Sequence, residues 1–196
     1  MDLEKTRQNL ELRGFKVSCF DTGKEAAAHI ASQISGCTVG FGGSKTLEAL
    51  GLFETLSENN TVYWHWKTPG RGTLNAAALT DVYLSSANAI SEDGEIVNID
   101  GTGNRIAATV FGHEKVFIVA GTNKIAPDFD AALKRARNVA AVKNCARFGK
   151  KAPCQKDGQC HDCRSPERIC HALTVLWGPM NGMETEVVLI CGDYGM

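Results

Sequence analysis

A chain of 196 residues with 43% hydrophobic content is long enough to bury one proper core, so a single domain over residues 1–196 is expected. A net charge of −1 gives no basic field for nucleic acid or an acidic membrane surface, and neither is expected as a partner. The N-terminus is charged, without the apolar core of a signal segment, and no run is long enough to span a bilayer; a cytoplasmic protein is expected, in which eight cysteines point to metal or redox chemistry rather than a disulfide frame.

Leu3, Arg7, Leu10 and Gly14 outline a first helix that stops at the glycine. Phe15 to Phe20 reads as a strand, and Asp21 or Thr22 caps a second helix through Ala26, Ala27, Ile30 and Ile34 to Gly36. The apolar run from Thr38 then breaks into Gly40, Gly42 and Gly43 and restarts as a helix at Leu47. Strand, helix and strand imply a right-handed βαβ unit with parallel pairing, its glycine turn at the carboxyl edge where open α/β sheets bind ligands. The glycines permit positive φ and close backbone approach, Ser44 caps the helix, Lys45 adds a charge and Thr46 a hydroxyl. Gly42, Gly43, Ser44, Lys45 and Thr46 together suit a phosphate or carboxylate. The order is neither a P-loop, because Ser44 interrupts it, nor a dinucleotide fingerprint, because Lys45 stands in place of the third glycine. A tight turn that binds nothing is the competing reading.

Thr61 to Trp64 is the next strand, and His65, between Trp64 and Trp66, reads as an ordinary half-buried imidazole. Asp81 to Ser85 is a strand, and Ala89 to Val97 a hairpin turning at Asp93-Gly94. The polar run that follows, with Asn98, Asp100, Asn104 and Arg105 around glycines, is a candidate site lining that continues into a helix through Ile106 and Val110. Lys115 to Gly121 is a buried parallel-type strand, which places Asn123 and Lys124 at the same sheet edge as the glycine turn. Pro127 opens a long core-packing helix with acidic residues early and basic ones late.

Residues 145–172 read as a cysteine-rich, metal-binding segment within the domain. Cys154, Cys160, Cys163 and Cys170 are spaced C-x5-C-x2-C-x6-C in a polar, turn-rich stretch too short to wrap a core of its own. Four thiolates on one zinc ion or one iron-sulfur cluster would order such a lobe, with Cys145, His161 and His171 as substitutes; free surface thiols or adventitious disulfides are the alternative. No organic cofactor is evident. Cys19, Cys37 and Cys191 read as small core residues, and Glu186 to Gly195 as a last strand returning to the main body. The expected fold is α/β, an open, mostly parallel sheet flanked by helices, with a small cysteine-rich lobe near the C-terminus.

The glycine turn with Ser44-Lys45-Thr46, the run from Ala87 to Gly101, Gly103-Asn104-Arg105, Gly121 to Ile125, the cysteine stretch and the closing Val188 to Gly195 resemble the lactate-utilisation (LUD) domain family over nearly the whole chain. The resemblance implies the NagB/RpiA/CoA-transferase-like α/β fold. It also implies a subunit or accessory role in L-lactate oxidation to pyruvate, alongside iron-sulfur proteins. The hairpin region resembles the sugar-phosphate isomerases of the same superfamily more weakly. Asn88 occupies the position of their acid, and an amide is no general base. Three readings stay open: a binding component for a small anionic metabolite, a CoA transferase or sugar-phosphate isomerase, and a metal- or redox-sensing interaction module. A homo-oligomer is compatible with each.

Overall fold

The computed structural model describes all 196 residues. In chain order the elements are α1 (Leu3–Leu12), β1 (Lys16–Phe20), α2 (Gly23–Ser32), β2 (Thr38–Phe41), α3 (Lys45–Ala49), α4 (Leu52–Ser57), β3 (Thr61–Trp64), α5 (Arg71–Ala77), β4 (Val82–Ser85), β5 (Ala89–Ser91), β6 (Ile96–Asp100), α6 (Asn104–Val110), β7 (Lys115–Gly121), β8 (Ile125–Ala126), α7 (Phe129–Arg135), α8 (Ala141–Arg147), α9 (Cys154–Asp157), β9 (Ala172–Leu176) and β10 (Glu184–Ile190). None of the helices is long and apolar enough to cross a membrane.

Six strands form one sheet in the order β1-β10-β7-β4-β2-β3, and every pairing in it is parallel. Alternation along the central strands explains the layering. Val116, Ile118 and Ala120 of β7 and Val187 and Leu189 of β10 face a core shared with Leu10 of α1, Ala77 of α5 and Ala108 of α6. Phe117, Val119, Val188 and Ile190 face the opposite core, closed by Ala26 and Ile30 of α2, Leu47 of α3 and Leu52 and Leu56 of α4. With both faces covered, these strands carry near-continuous apolar runs. The hairpin of β5 and β6 belongs to a second sheet, ordered β8-β5-β6-β9, whose far side packs on Ala132 of α7 and on Ala136.

Several expectations meet corrections. β1 and β2 are parallel, but β10, β7 and β4 lie between them, so the helix joining them crosses most of the sheet instead of one strand spacing. Asp128, not Pro127, caps the long helix, accepting from the Ala131 N–H at 2.7 Å, and that helix widens into a π turn over Ala136–Ala140 before α8. Cys19 and Cys191 are exposed and Cys37 is half-buried, because β1 is an edge strand and Cys191 lies beyond the end of β10. Cys145, on the packed face of α8, is the buried cysteine. The capping of α2 is as expected, with Thr22 and Glu25 forming a reciprocal box.

Candidate functional site

β2, β4 and β7 end side by side, and residues that follow them, Gly43 to Thr46, Ser86 to Asn88 and Lys124, line one cavity with Asp100 at the carboxyl end of β6. None of the glycines at 40, 42 and 43 has a positive φ, which corrects the sequence reading. Close approach is what excludes side chains there. A Cβ on Gly40 would lie 2.5 Å from the Ala77 carbonyl oxygen, one on Gly42 3.1 Å from Cγ of Arg105, and one on Gly43 2.9 Å from Nε1 of Trp66. Ser44 caps α3 by accepting from the Leu47 N–H at 3.2 Å. At five residues α3 carries little dipole, so side chains supply most of the positive charge here.

The strand ends enclose a cavity of about 340 Å³. Six basic side chains line it, Lys45, Arg105, Lys124, Arg147, Lys150 and Arg168, against one acidic side chain, Asp100. In a chain of net charge −1 that concentration is local. Lys124 is buried. Its Nζ donates to Thr46 Oγ1 and Ser86 Oγ, both at 2.8 Å, and it has no carboxylate partner. Burial, with the neighbouring charges of Arg135 and Arg105, pulls its ammonium down from 10.5 to about 7. Arg105 is held by the Ile99 carbonyl at 2.6 Å and by Asn88 Oδ1 at 3.3 Å, with its Nε 3.7 Å from Asp100. Asp100 also accepts from the N–H groups of Thr102 and Ile106, so the one acidic side chain in the lining is already engaged. His65 reaches the same cavity, and its Nδ1 is buried without a partner in the protein. Burial lowers its pKa and keeps the ring neutral.

Of the residues singled out in the sequence, Gly43, Ser44, Lys45, Thr46, Asn88, Asp100, Asn104, Arg105 and Lys124 line this one cavity. Gly42, Asn98 and Asn123 do not. Gly42 is buried beneath Arg105, Asn98 accepts from the Asn88 N–H at 3.1 Å, and the Asn123 amide oxygen accepts from the Tyr194 N–H. Glu92 accepts from the Asp2 N–H at 2.7 Å, away from the cavity. Sequence reading missed Trp66, Ser86, Asn144, Arg147, Lys150 and Arg168 as cavity residues. Those on α8 and beyond lie at the end of the long helix and in the cysteine-rich segment, and no local pattern says which neighbour they meet.

Beyond α8 lies a second, small cavity of about 30 Å³. Cys154, Cys160, Cys163 and Cys170 all line it, and so does Cys145. No three His, Cys, Asp or Glu side chains are arranged here as a ready metal-binding group. The segment that carries them is not a lobe hanging free: the His171 N–H donates to the Asp100 carbonyl at 2.9 Å, and the Ile169 carbonyl oxygen lies 2.7 Å from where a Cβ on Gly101 would stand. Residues 168–171 thereby form part of the wall of the basic cavity.

The model of the LUD domain matches residues 3–190. No curated protein matches the chain. Among solved structures, a DUF162 family protein from Deinococcus radiodurans superposes over 97% of this chain and 96% of its own with a TM-score of 0.56 at 14% identity, a likeness of fold. Ribose 5-phosphate isomerase A from Neisseria gonorrhoeae aligns with 54% of this chain and 53% of its own at a TM-score of 0.34 and 16% identity.

Proposed function

We propose, from the premise that this chain belongs to the LUD domain family, that it binds a small, multiply charged organic anion in the basic cavity and acts as a component of L-lactate oxidation to pyruvate. The observation that carries the binding reading is the cavity's charge: six basic side chains face one engaged acid, and the buried Lys124 has no carboxylate of its own. A buried cation without a counterion is costly, and an incoming phosphate or carboxylate removes that cost. The volume of about 340 Å³ exceeds what one lactate fills and lies at the lower end of the range for drug-sized ligands. A phosphorylated or nucleotide-like ligand with a planar part against Trp66 suits it better than a lone carboxylate. The family's link to lactate supports the wider role, with iron-sulfur proteins as partners, and self-association is compatible with it.

Catalysis of a CoA-transferase or sugar-phosphate isomerase type would need a free base in the cavity. Asp100 is tied to Arg105 and two backbone N–H groups, which leaves the amine of Lys124 and the imidazole of His65, whose Nδ1 has no partner, as groups able to take a proton. The test is a calorimetric and thermal-shift screen of L-lactate, pyruvate, inorganic phosphate, a sugar phosphate and a CoA ester. Saturable stabilisation by a multiply charged anion, abolished in Arg105→Gln, is expected. Indifference to every anion would overturn the binding reading, and turnover of a sugar phosphate or CoA ester would move the protein to the enzyme class.

A further inference from the structure

We infer that the small cavity walled by Cys145, Cys154, Cys160, Cys163 and Cys170 is the binding site of a single thiolate-ligated metal ion, and that zinc is the ion it fits. Five of the chain's eight cysteines face one void, although they come from α8, from α9 and from an irregular stretch after it.

Each thiol-bearing piece is tethered so as to hold it there. The Cys160 N–H donates to Asn138 Oδ1 at 2.9 Å, which ties that cysteine to the π turn. The Gln155 amide spans the Val142 carbonyl and Cys154 Sγ, tying α9 to α8. Arg168 donates to the carbonyls of both Cys163 and Cys170 at 2.7 Å, so one guanidinium draws two of the cysteines together.

The chemistry of the void agrees. Arg137 stands 3.7 Å from Cys160 Sγ. A divalent cation takes four sulfurs as thiolates, releasing the thiol protons as it binds. Size selects the ion: about 30 Å³ holds one metal atom and would have to open widely for a cubane iron-sulfur cluster. No three of these side chains stand as a preformed ligand group, so loading requires them to rotate toward one point. Cys154, Cys160 and Cys170 supply three ligands, and the fourth comes from Cys145 or Cys163, whichever rotation favours.

The test uses the full chain, purified anaerobically with its thiols reduced. Titration with zinc against a chromophoric chelator should give one tight equivalent per chain, and cadmium should give the ultraviolet charge-transfer band of metal-bound thiolate. Cys154→Ser and Cys170→Ser should each lose tight binding. Cys145→Ser and Cys163→Ser should each retain it, while the double variant loses it, and Cys19→Ser with Cys191→Ser should change nothing. Should a variant fail to fold, the wild-type titration still decides. Failure of reduced wild-type chain to bind zinc or cadmium, or binding that survives Cys154→Ser and Cys170→Ser together, would overturn the assignment. So would loss of two titratable thiols to a disulfide with no metal bound. None of these outcomes depends on whether the basic cavity binds an anion.

Discussion

Lys124 is the residue on which both stability and binding turn. Its folded pKa of about 7 lies below its ordinary 10.5, so between those values the unfolded chain holds more protons and stability rises with pH. An anion in the cavity favours the charged amine, so binding should draw up a proton near neutrality, and affinity should fall as pH rises above about 7. Calorimetry in buffers of different ionisation enthalpy would read that uptake directly. Lys124→Met keeps the length and removes the buried charge; Thr46 and Ser86 stand 3.3 Å apart and are able to hydrogen-bond each other. The variant should be as stable as the wild type or more so by about 1 kcal/mol, while losing anion-induced stabilisation. A variant that still bound anions with an unchanged pH profile would remove Lys124 from the site. Gly43→Val tests the turn itself. With Trp66 Nε1 2.9 Å from the first added carbon, the indole must leave its stack on Trp64, at a cost of roughly 1–3 kcal/mol measurable by denaturant titration.

At the scale of elements, β10 shows how the last strand in sequence secures the first. It lies between β1 and β7, and its Glu186 is fully buried where the two neighbouring strands begin. Ser18 of β1 donates to Glu186 Oε1 at 2.8 Å, His29 of α2 stands 2.6 Å from the same oxygen, and Lys115 of β7 lies 3.2 Å from Oε2. Burial alone would raise the carboxyl pKa, but the bonds to His29, Ser18 and Lys115 outweigh it and hold the group down at about 2, below the ordinary 4.5. Its contribution is therefore complete above pH 4.5 and lost as pH falls through about 2. Glu186→Gln should cost roughly 3 kcal/mol at neutral pH and flatten the loss of stability between pH 4.5 and 2. Urea melts at pH 7 and pH 3 would show both effects; equal destabilisation at the two values would refute the charge argument. Local patterns announced nearly all strands of the main sheet because each is an apolar run bounded by turn residues. They did not announce β9, whose Ala172–Leu176 follows the cysteines without a turn signal and pairs with β6 through contacts distant in sequence. Nor did they give strand order, since a helical crossover fixes that two strands are parallel and says nothing of how many others separate them.

At the scale of the whole molecule, the site was legible in proportion to how far it is built from strand ends. Gly43 to Thr46, Asn88, Arg105 and Lys124 follow strands directly, and parallel topology sends such residues to one edge. Arg147, Lys150 and Arg168 arrive from α8 and the cysteine segment, and only packing reveals that they close the opposite wall. That wall is shared: Ala141, Arg168, Ile169 and Cys170 border both the basic cavity and the thiol cavity. A metal ion that fixes Cys170 would also fix Ile169 and Arg168 beside the anion, and reduce the ordering that anion binding must otherwise complete. Stripping zinc with a chelator should accordingly weaken anion affinity by about tenfold, equivalent to about 1.4 kcal/mol, while leaving the six-stranded sheet folded by circular dichroism. By reciprocity, saturating anion should tighten zinc by the same factor. Equal anion affinity in zinc-loaded and zinc-free protein would mean that the two cavities share a wall without sharing energy. An anion that binds only the metal-free form would reverse the sign of the coupling and make the cysteine segment a gate that the metal shuts.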